Sequence, residues 1–385
     1  MTPTTPPAAT PAYDPDELIV GVDPAPLFGP VEVAGMKLAN RFVYAPMTRM
    51  QSPYGVPTSE VAAYYARRAP HFGLLITEAT YVGHPSSGSS ARVPQFYGEA
   101  ALAGWAAVAD EVHAAGGLIV PQLWHLGVQR LEGAPPEPQA PVVSPSGLDL
   151  DGTAKGKSAS EQDIADIIAA FAQAAADAQR LGFDGVEIHG AHGYLLDQFF
   201  WHATNQRTDG YGGDVPGRSR MAVELVAAVR AAVGPDFPIL FRFSQWKSNA
   251  YDAQIAQTPA ELEQLLAPLV SAGVDVLDVS TRRYWQHAFE GSPRTLAGWA
   301  KHVSGLPTIA IGSVGVQTQF RGAKDEPASP INLGPLLRLF SSGEYDLIAV
   351  GRAALSDPAW TSKLRDRRVG EIRQYQKSHE REPLF

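Results

Sequence analysis

GVEIHGAHGYLLDQF, residues 185–199, carries the densest chemistry in the chain. Val186 and Ile188 read as a short buried strand, and Gly190 and Gly193 turn the chain where that strand runs out. His189 stands at the expected strand end, His192 three residues later and Tyr194 two beyond that. Two neutral imidazoles can donate N–H bonds to a single oxygen, and a phenol beside them can deliver a proton. That is equipment for polarising a carbonyl while a neighbouring carbon is protonated. Satisfied polar residues at a loop are the plainer reading of the same pattern. A metal site has little support: there is no HExxH motif, no cysteine and no evident carboxylate ligand.

Outward from this stretch, short apolar runs recur, each followed by a helical pattern. The strands are expected at Phe42–Pro46, Leu74–Ala79, Leu118–Trp124, Gly185–His189, Ile239–Ser244, Val274–Ser280, Thr308–Ser313 and Leu347–Arg352. Amphipathic segments lie between them, clearest at 101–115, 161–181, 218–233, 259–272 and 335–342. Eight buried strands alternating with helices predict a single (β/α)8 TIM barrel. A doubly wound sheet is the alternative, but no GxGxxG follows the first strand. VEVAGMKLANRF (31–42) alternates around Gly35 as an N-terminal β-hairpin does. Long connections at His125–Ser158, His192–Pro216 and Thr281–Ser292 all follow strands, so they are expected to build the barrel's C-terminal face. The domain reading is a draped or disordered tail over 1–24, a barrel over 25–370 and a C-terminal tail over 371–385.

Composition sets the bounds. The 385 residues are 45% hydrophobic and carry a net charge of −9, with no notable basic cluster, so nucleic acid and anionic membranes are poor partners. With no cysteines, disulfides, thiol catalysis and thiolate-held zinc or iron–sulfur clusters drop out together. No run of about 18 apolar residues appears, and the N-terminal stretch lacks the regions of a signal peptide. A cytoplasmic location is the expectation; oligomeric state is not bounded.

Polar residues at the C-terminal ends of barrel strands are candidates for catalysis. The first strand ends in APMTR, bringing Pro46 and Thr48 to the mouth; the second ends at Ala79; the third, PQLWH, offers Gln122 and Trp124. In FRFS, Arg242 lies between phenylalanines, where a guanidinium needs an acceptor. Strands seven and eight end in GSVG and GR, placing Gly312, Ser313, Gly351 and Arg352 where phosphate binding recurs in this fold.

APMTR (45–49), PQLWH (121–125), HGAHGYLLDQF (189–199), NQRTDGYGG (205–213), FRFS (241–244) and GR (351–352) together resemble the Old Yellow Enzyme family of FMN-dependent ene-reductases, in family order over roughly residues 25–365. Thr48 and Trp124 are similar to the branch that has Thr and Trp at these positions. The resemblance implies non-covalent FMN, with NAD(P)H as reductant. Gln122 would bond the flavin's pyrimidine edge, Arg242 would face N1 and the C2 carbonyl, and Thr48 would contact the O4 side. Pro46 and Ala79 would line the ring, while Gly312, Ser313, Gly351 and Arg352 would hold the phosphate. His189 and His192 would bind a carbonyl or nitro oxygen of a small activated alkene, and Tyr194 would be the proton donor after ping-pong hydride transfer from N5. Trp124 would wall the substrate pocket, and Tyr284 and Trp285 are expected to cap it. Departures from the family pattern are GVQR after PQLWH and a phosphate segment without a side-chain amide. The competing reading is a flavin- or phosphate-binding barrel without turnover. The lack of cysteine argues against a dienoyl-CoA reductase or amine-dehydrogenase relative, which adds an iron–sulfur cluster, and the lack of a lysine at any expected strand end argues against a Schiff-base aldolase.

Overall fold

The computed structural model describes residues 23–316 and 333–384, so nearly all of the expected N-terminal tail lies outside the described residues. The chain enters as an antiparallel hairpin, β1 (Val31–Val33) and β2 (Met36–Leu38), turning through Ala34 and Gly35. Eight parallel strands follow and close on themselves: β3 (Phe42–Tyr44), β4 (Leu74–Tyr81), β5 (Ile119–Trp124), then, after the small ladder β6 (Val143–Ser144) and β7 (Lys157–Ser158), β8 (Val186–His192), β9 (Ile239–Lys247), β10 (Val276–Ser280), β11 (Thr308–Ile311) and β12 (Leu347–Val350). β12 pairs with β3 to complete the ring. The expected barrel is the observed one.

Helices fill the crossovers: α1 (Ser59–Ala66), α2 (Glu99–Ala114), α3 (Glu161–Arg180), the short α4 (Leu195–Phe200), α5 (Val215–Val233), α6 (Pro259–Ala272), α7 (Leu296–Ser304), α8 (Gly334–Ser341), α9 (Arg352–Ser356) and α10 (Trp360–Arg365). Their starts follow local chemistry. Ser160 and Asp163 form a reciprocal capping box on α3, and Asp214 caps α5 through the Gly217 amide. That cap, with Pro216 in the first turn, starts α5 three residues earlier than its apolar periodicity indicates.

Parallel strands covered by helices are buried on both faces, and β4 is buried along its entire length. The outer faces pack with the helices into one large core. The inner faces form a separate cluster at the barrel base, with Val43, Leu74, Ile76, Leu240, Val276 and Leu347 meeting Val33, Met36 and Leu38 of the hairpin. The hairpin is therefore the plug of the barrel's N-terminal end, which leaves only the C-terminal end open for a ligand.

Three strands run past their expected ends. β4 reaches Tyr81, β8 reaches His192 through a register shift after Gly190, and β9 reaches Lys247. His189 is consequently inside its strand, and a strand does end in lysine. The expected C-terminal tail also folds back: Ile372, Tyr375 and His379 are buried, and His379 Nδ1 lies 2.7 Å from Ser356 Oγ. Residues 371–384 thus pack against the barrel through these side chains and bring Glu380 to its mouth.

Leu38 is 1% exposed at the centre of the plug. Truncating it leaves a cavity that the rigid barrel base cannot refill, so Leu38→Ala is expected to cost about 2–5 kcal/mol in denaturant unfolding. A loss below about 0.5 kcal/mol, the size of an ordinary surface change, would show that the hairpin does not pack as a plug.

Candidate active site

A cavity of about 330 Å³ opens at the C-terminal ends of the strands. Every barrel strand or its following residue reaches it: Ala45 and Pro46 after β3, Ala79 on β4, Gln122 and Trp124 on β5, His189 and His192 on β8, Arg242 on β9, Ser280 on β10, Ile311 on β11 and Ala349 on β12. Side chains alternate along a strand, so inward residues deeper in the strands, Val120 and Leu240 two positions earlier and Val276 four, belong to the base beneath.

One wall carries the two histidines and the tyrosine. His189 and His192 stand edge to face with ring centroids 5.1 Å apart, and Tyr194 is likewise 5.1 Å from His189. Trp124 lies nearly parallel to His189 at 6.2 Å and meets Tyr194 edge to face at 4.7 Å, holding both rings. The Ala191 amide donates to His189 Nδ1 at 3.3 Å, which leaves the neutral ring's proton on Nε2. Burial, reinforced by Arg242, holds His189 well below the ordinary imidazole range; burial and the nearby His189, Arg242 and Lys247 do the same to His192. Both rings are therefore neutral hydrogen-bonding groups near pH 7. His192 Nε2 sits 2.7 Å from Ser280 Oγ, and its amide donates to Ser244 Oγ at 3.0 Å.

Local backbone makes this grouping possible. His192 has φ +63° and Gly193 φ +80°, two consecutive left-handed residues that reverse the chain between β8 and α4. Behind the turn, Asp197 accepts from the Gly193 amide at 2.5 Å and from Lys247 Nζ at 2.8 Å, with both side chains completely buried. Burial raises the Asp197 carboxyl to about 6 and lowers Lys247. Lys247 does not line the cavity; it braces the turn that does.

The floor holds Arg242, which donates through Nε (3.0 Å) and Nη2 to Asp278 Oδ2. Glu187 Oε1 lies 3.6 Å from Arg242 Nε and accepts from Gln122 Nε2 at 2.6 Å. Burial alone would lower the guanidinium's pKa, yet the Asp278 and Glu187 carboxyls raise it, so Arg242 is a fixed cation. Burial, then the Asp278 charge, drive the Glu187 carboxyl well above its usual range.

Across the barrel, the ends of β11 and β12 form a second polar group. Gly312 has φ +149°, and a Cβ there would meet the Thr281 carbonyl at 2.5 Å, so only glycine fits. Ser313 Oγ receives Nη1 of Arg283 and Nη2 of Arg352 and donates to the Arg282 carbonyl at 2.9 Å. Arg352 faces the Tyr375 ring at 5.5 Å, and Glu380 reaches the cavity from the C-terminal segment. On β4, Glu78 accepts from the Arg49 and Met50 amides at 2.8 and 3.3 Å and fixes the loop that presents Thr48; burial pushes its carboxyl up to about 7.

All but two of the residues singled out from sequence line this cavity. The exceptions are Tyr284 and Trp285. Tyr284 is buried in the main core, its ring 4.8 Å from Trp285, which packs against the same core. The loop turns them inward, and Thr281, Arg282 and Arg283 face the cavity in their place. Sequence reading passed over Glu187 and Asp278, although each is an acidic residue at an inward position of an apolar strand, two before His189 and Ser280. It also passed over Lys247, Asp197, Trp246 and the paired arginines Arg282 and Arg283.

The donor set fits flavin mononucleotide. Buried Arg242 and the Gln122 amide offer charge and hydrogen bonds to a heteroaromatic edge, and Arg283 and Arg352, converging on Ser313, offer a cluster of cationic donors opposite. No cysteine is present to tether it.

Residues 26–371 match the model of the NADH:flavin oxidoreductase / NADH oxidase family. The chain is 34% identical over 357 residues to 12-oxophytodienoate reductase 7 of Oryza sativa subsp. japonica, covering 89% of this chain and 88% of that protein. The chanoclavine-I aldehyde reductase fgaOx3 of Penicillium roqueforti is 45% identical over a shorter 233 residues, 58% of this chain and 61% of that one. Among solved structures, the Old Yellow Enzyme from Pichia sp. AKU4542 superposes with TM-score 0.75 at 26% identity, over 92% of this chain and 90% of that one. With the barrel, the cavity and its donor set already in place, these matches show that the chain belongs to the NADH:flavin oxidoreductase / NADH oxidase family, as an FMN-binding, NAD(P)H-dependent flavoprotein of the Old Yellow Enzyme type.

Proposed function

We propose that the protein reduces the C=C bond of small α,β-unsaturated carbonyl or nitro compounds. When bound, FMN supplies the hydride chemistry that links NAD(P)H to the alkene. The observation that carries the reading is the meeting of two neutral imidazoles and one phenol on a single cavity wall.

His189 presents an Nε2–H donor, and His192 a second ring beside it, to the carbonyl or nitro oxygen. Hydrogen bonds to an oxygen that gains negative charge strengthen as the charge develops, which favours the transition state over the ground state. Neutral rings suit this task because neither changes charge through the physiological range. Tyr194, held against Trp124 and His189, delivers the proton to the α-carbon. Gln122 and Arg242 bind the cofactor's pyrimidine edge, where the fixed guanidinium charge favours the reduced form. Gly312, Ser313, Gly351 and Arg352 bind its phosphate, assisted by Arg283, while Pro46, Thr48 and Ala79 line the ring. Trp124 forms the side of the pocket through which the alkene is oriented.

Two experiments test the assignment. Tyr194→Phe is expected to slow enone reduction by about 10²–10⁴-fold, the usual contribution of a positioned acid, with flavin reduction by NAD(P)H near wild type in rapid mixing. A nitroalkene hydride adduct is an anion stable without immediate protonation, so in this variant it is expected to accumulate before protonation in solution. Equal slowing of both half-reactions would make Tyr194 a packing residue.

The second test uses para-substituted phenols. They are expected to bind as phenolates, with a long-wavelength charge-transfer band that weakens as pH falls through the bound phenol's ionisation. The histidines, held below their ordinary range by burial, add no step near neutrality. His189→Ala and His192→Ala are expected to retain FMN and lose most of this binding. Loss of flavin with unaltered phenol affinity in the remaining holoenzyme would assign the wrong wall.

A further inference from the structure

The cavity floor contains more carboxyl groups than its single guanidinium neutralises. Arg242 stands on β9 with His189 of β8 and Asp278 of β10 as its register partners, and Glu187 lies two residues before His189 on the same inward face. Glu187 and Asp278 are both completely buried. Both Arg242 bonds go to one oxygen of Asp278, and Glu187 is held through one oxygen by Gln122. The second oxygens, Glu187 Oε2 and Asp278 Oδ1, are each buried without a hydrogen-bond partner among the described residues. The two carboxyls converge on one nitrogen, Arg242 Nε, with Glu187 Oε1 at 3.6 Å and Asp278 Oδ2 at 3.0 Å. Two ionised carboxylates in that arrangement would repel and leave two acceptors unsatisfied, an expensive state in a dry interior. One proton between the two oxygens removes both defects.

We propose that Glu187 is a carboxylic acid in the folded protein, sharing its proton with Asp278, and that this acid–carboxylate pair positions Arg242 towards the cofactor. The cluster then holds one cation, one anion and one neutral acid. Its net charge is zero, where full ionisation would make it −1 and disfavour electron density on the ring above. Asp278 restrains the guanidinium, and Glu187 links that restraint to the Gln122 amide, so the two cofactor-facing donors are set by one hydrogen-bonded chain. This rests on the flavin reading; the tests below separate the two.

The FMN-loaded protein is expected to show an infrared carboxylic-acid band that persists at pH 9, where Glu78, pushed only to about 7, is ionised. Labelling with ¹³C-glutamate should shift the band, and Glu187→Gln should remove it while leaving the ratio of affinities for reduced and oxidised FMN within about twofold, since one neutral donor replaces another. Glu187→Leu, which offers no donor, should weaken retention of FMN, and glutamine should rescue it. The double variant Glu187→Gln/Asp278→Asn strips Arg242 of its counter-charge and should shift the ratio towards reduced FMN by about tenfold, the equivalent of one unit of protonation equilibrium. Absence of a glutamate band at pH 9, or a tenfold shift in Glu187→Gln alone, would overturn the proposal, because either result means that Glu187 is ionised. A protein that shows the band but binds no FMN would refute the flavin reading and leave the shared proton standing.

Discussion

A guanidinium buried inside a closed barrel constrains everything around it. Arg242 occupies an inward position on β9, above a layer of Leu240, Val276 and Val120 that offers no acceptor. Breaking a buried ion pair by removing one partner costs about 3–5 kcal/mol, so the flanking strands β8 and β10 must supply acceptors within its reach. Glu187 and Asp278 do so. A slip of one residue in β10 would turn Asp278 outward into the helix layer and leave the cation unpaired, and a slip in β8 would carry Glu187 away from both Arg242 and Gln122. The charge cluster thereby locks the register of three adjacent strands, and that register puts His189 level with Arg242 and His192 level with Lys247.

The same economy of charge shapes the wall of His189, His192 and Tyr194. Two histidines beside a fixed cation stay neutral, and the turn that presents His192 and Tyr194 is braced by the completely buried pair Asp197–Lys247. Left-handed backbone at His192 is unfavourable for a residue with a side chain. Here it is held by the Ser244 hydroxyl on its amide, the Ser280 hydroxyl on its ring and the Asp197 carboxylate on the next amide. Each of these supports comes from a different element, so the wall's geometry is a product of the whole barrel mouth.

The barrel was legible because its signal is repeated eight times: a short apolar run, a turn, an amphipathic helix. The candidate site was legible to the extent that polarity at an apolar strand's end is conspicuous, as with Gln122, His189 and Arg242. Glu187 and Asp278 obey the same period-two rule but sit two residues deeper, where attention to strand ends misses them. Strand ends were less visible, since the extension of β8 through a bulge and of β9 to Lys247 depends on pairing between strands far apart in sequence. Tyr284 and Trp285 show the limit of composition. Aromatic residues in a loop over a site suggest a cap, yet whether a loop buries them depends on the core it lies against, and that core takes in Tyr284. The C-terminal residues read as a tail because they have no periodicity; they are anchored by single contacts, such as His379 to Ser356, that no pattern encodes.

The proposed coupling of nucleotide oxidation to alkene reduction in this cavity is open to one anaerobic experiment. The purified yellow protein is titrated with NADPH or NADH until the flavin absorbance is bleached, then mixed with one equivalent of a cyclic enone under nitrogen. The oxidised flavin spectrum is expected to return with one equivalent of the saturated ketone formed. A flavin that bleaches but is not reoxidised by any enone or nitroalkene, or that is never bleached by either nucleotide, would contradict it and leave a barrel that binds FMN without this turnover.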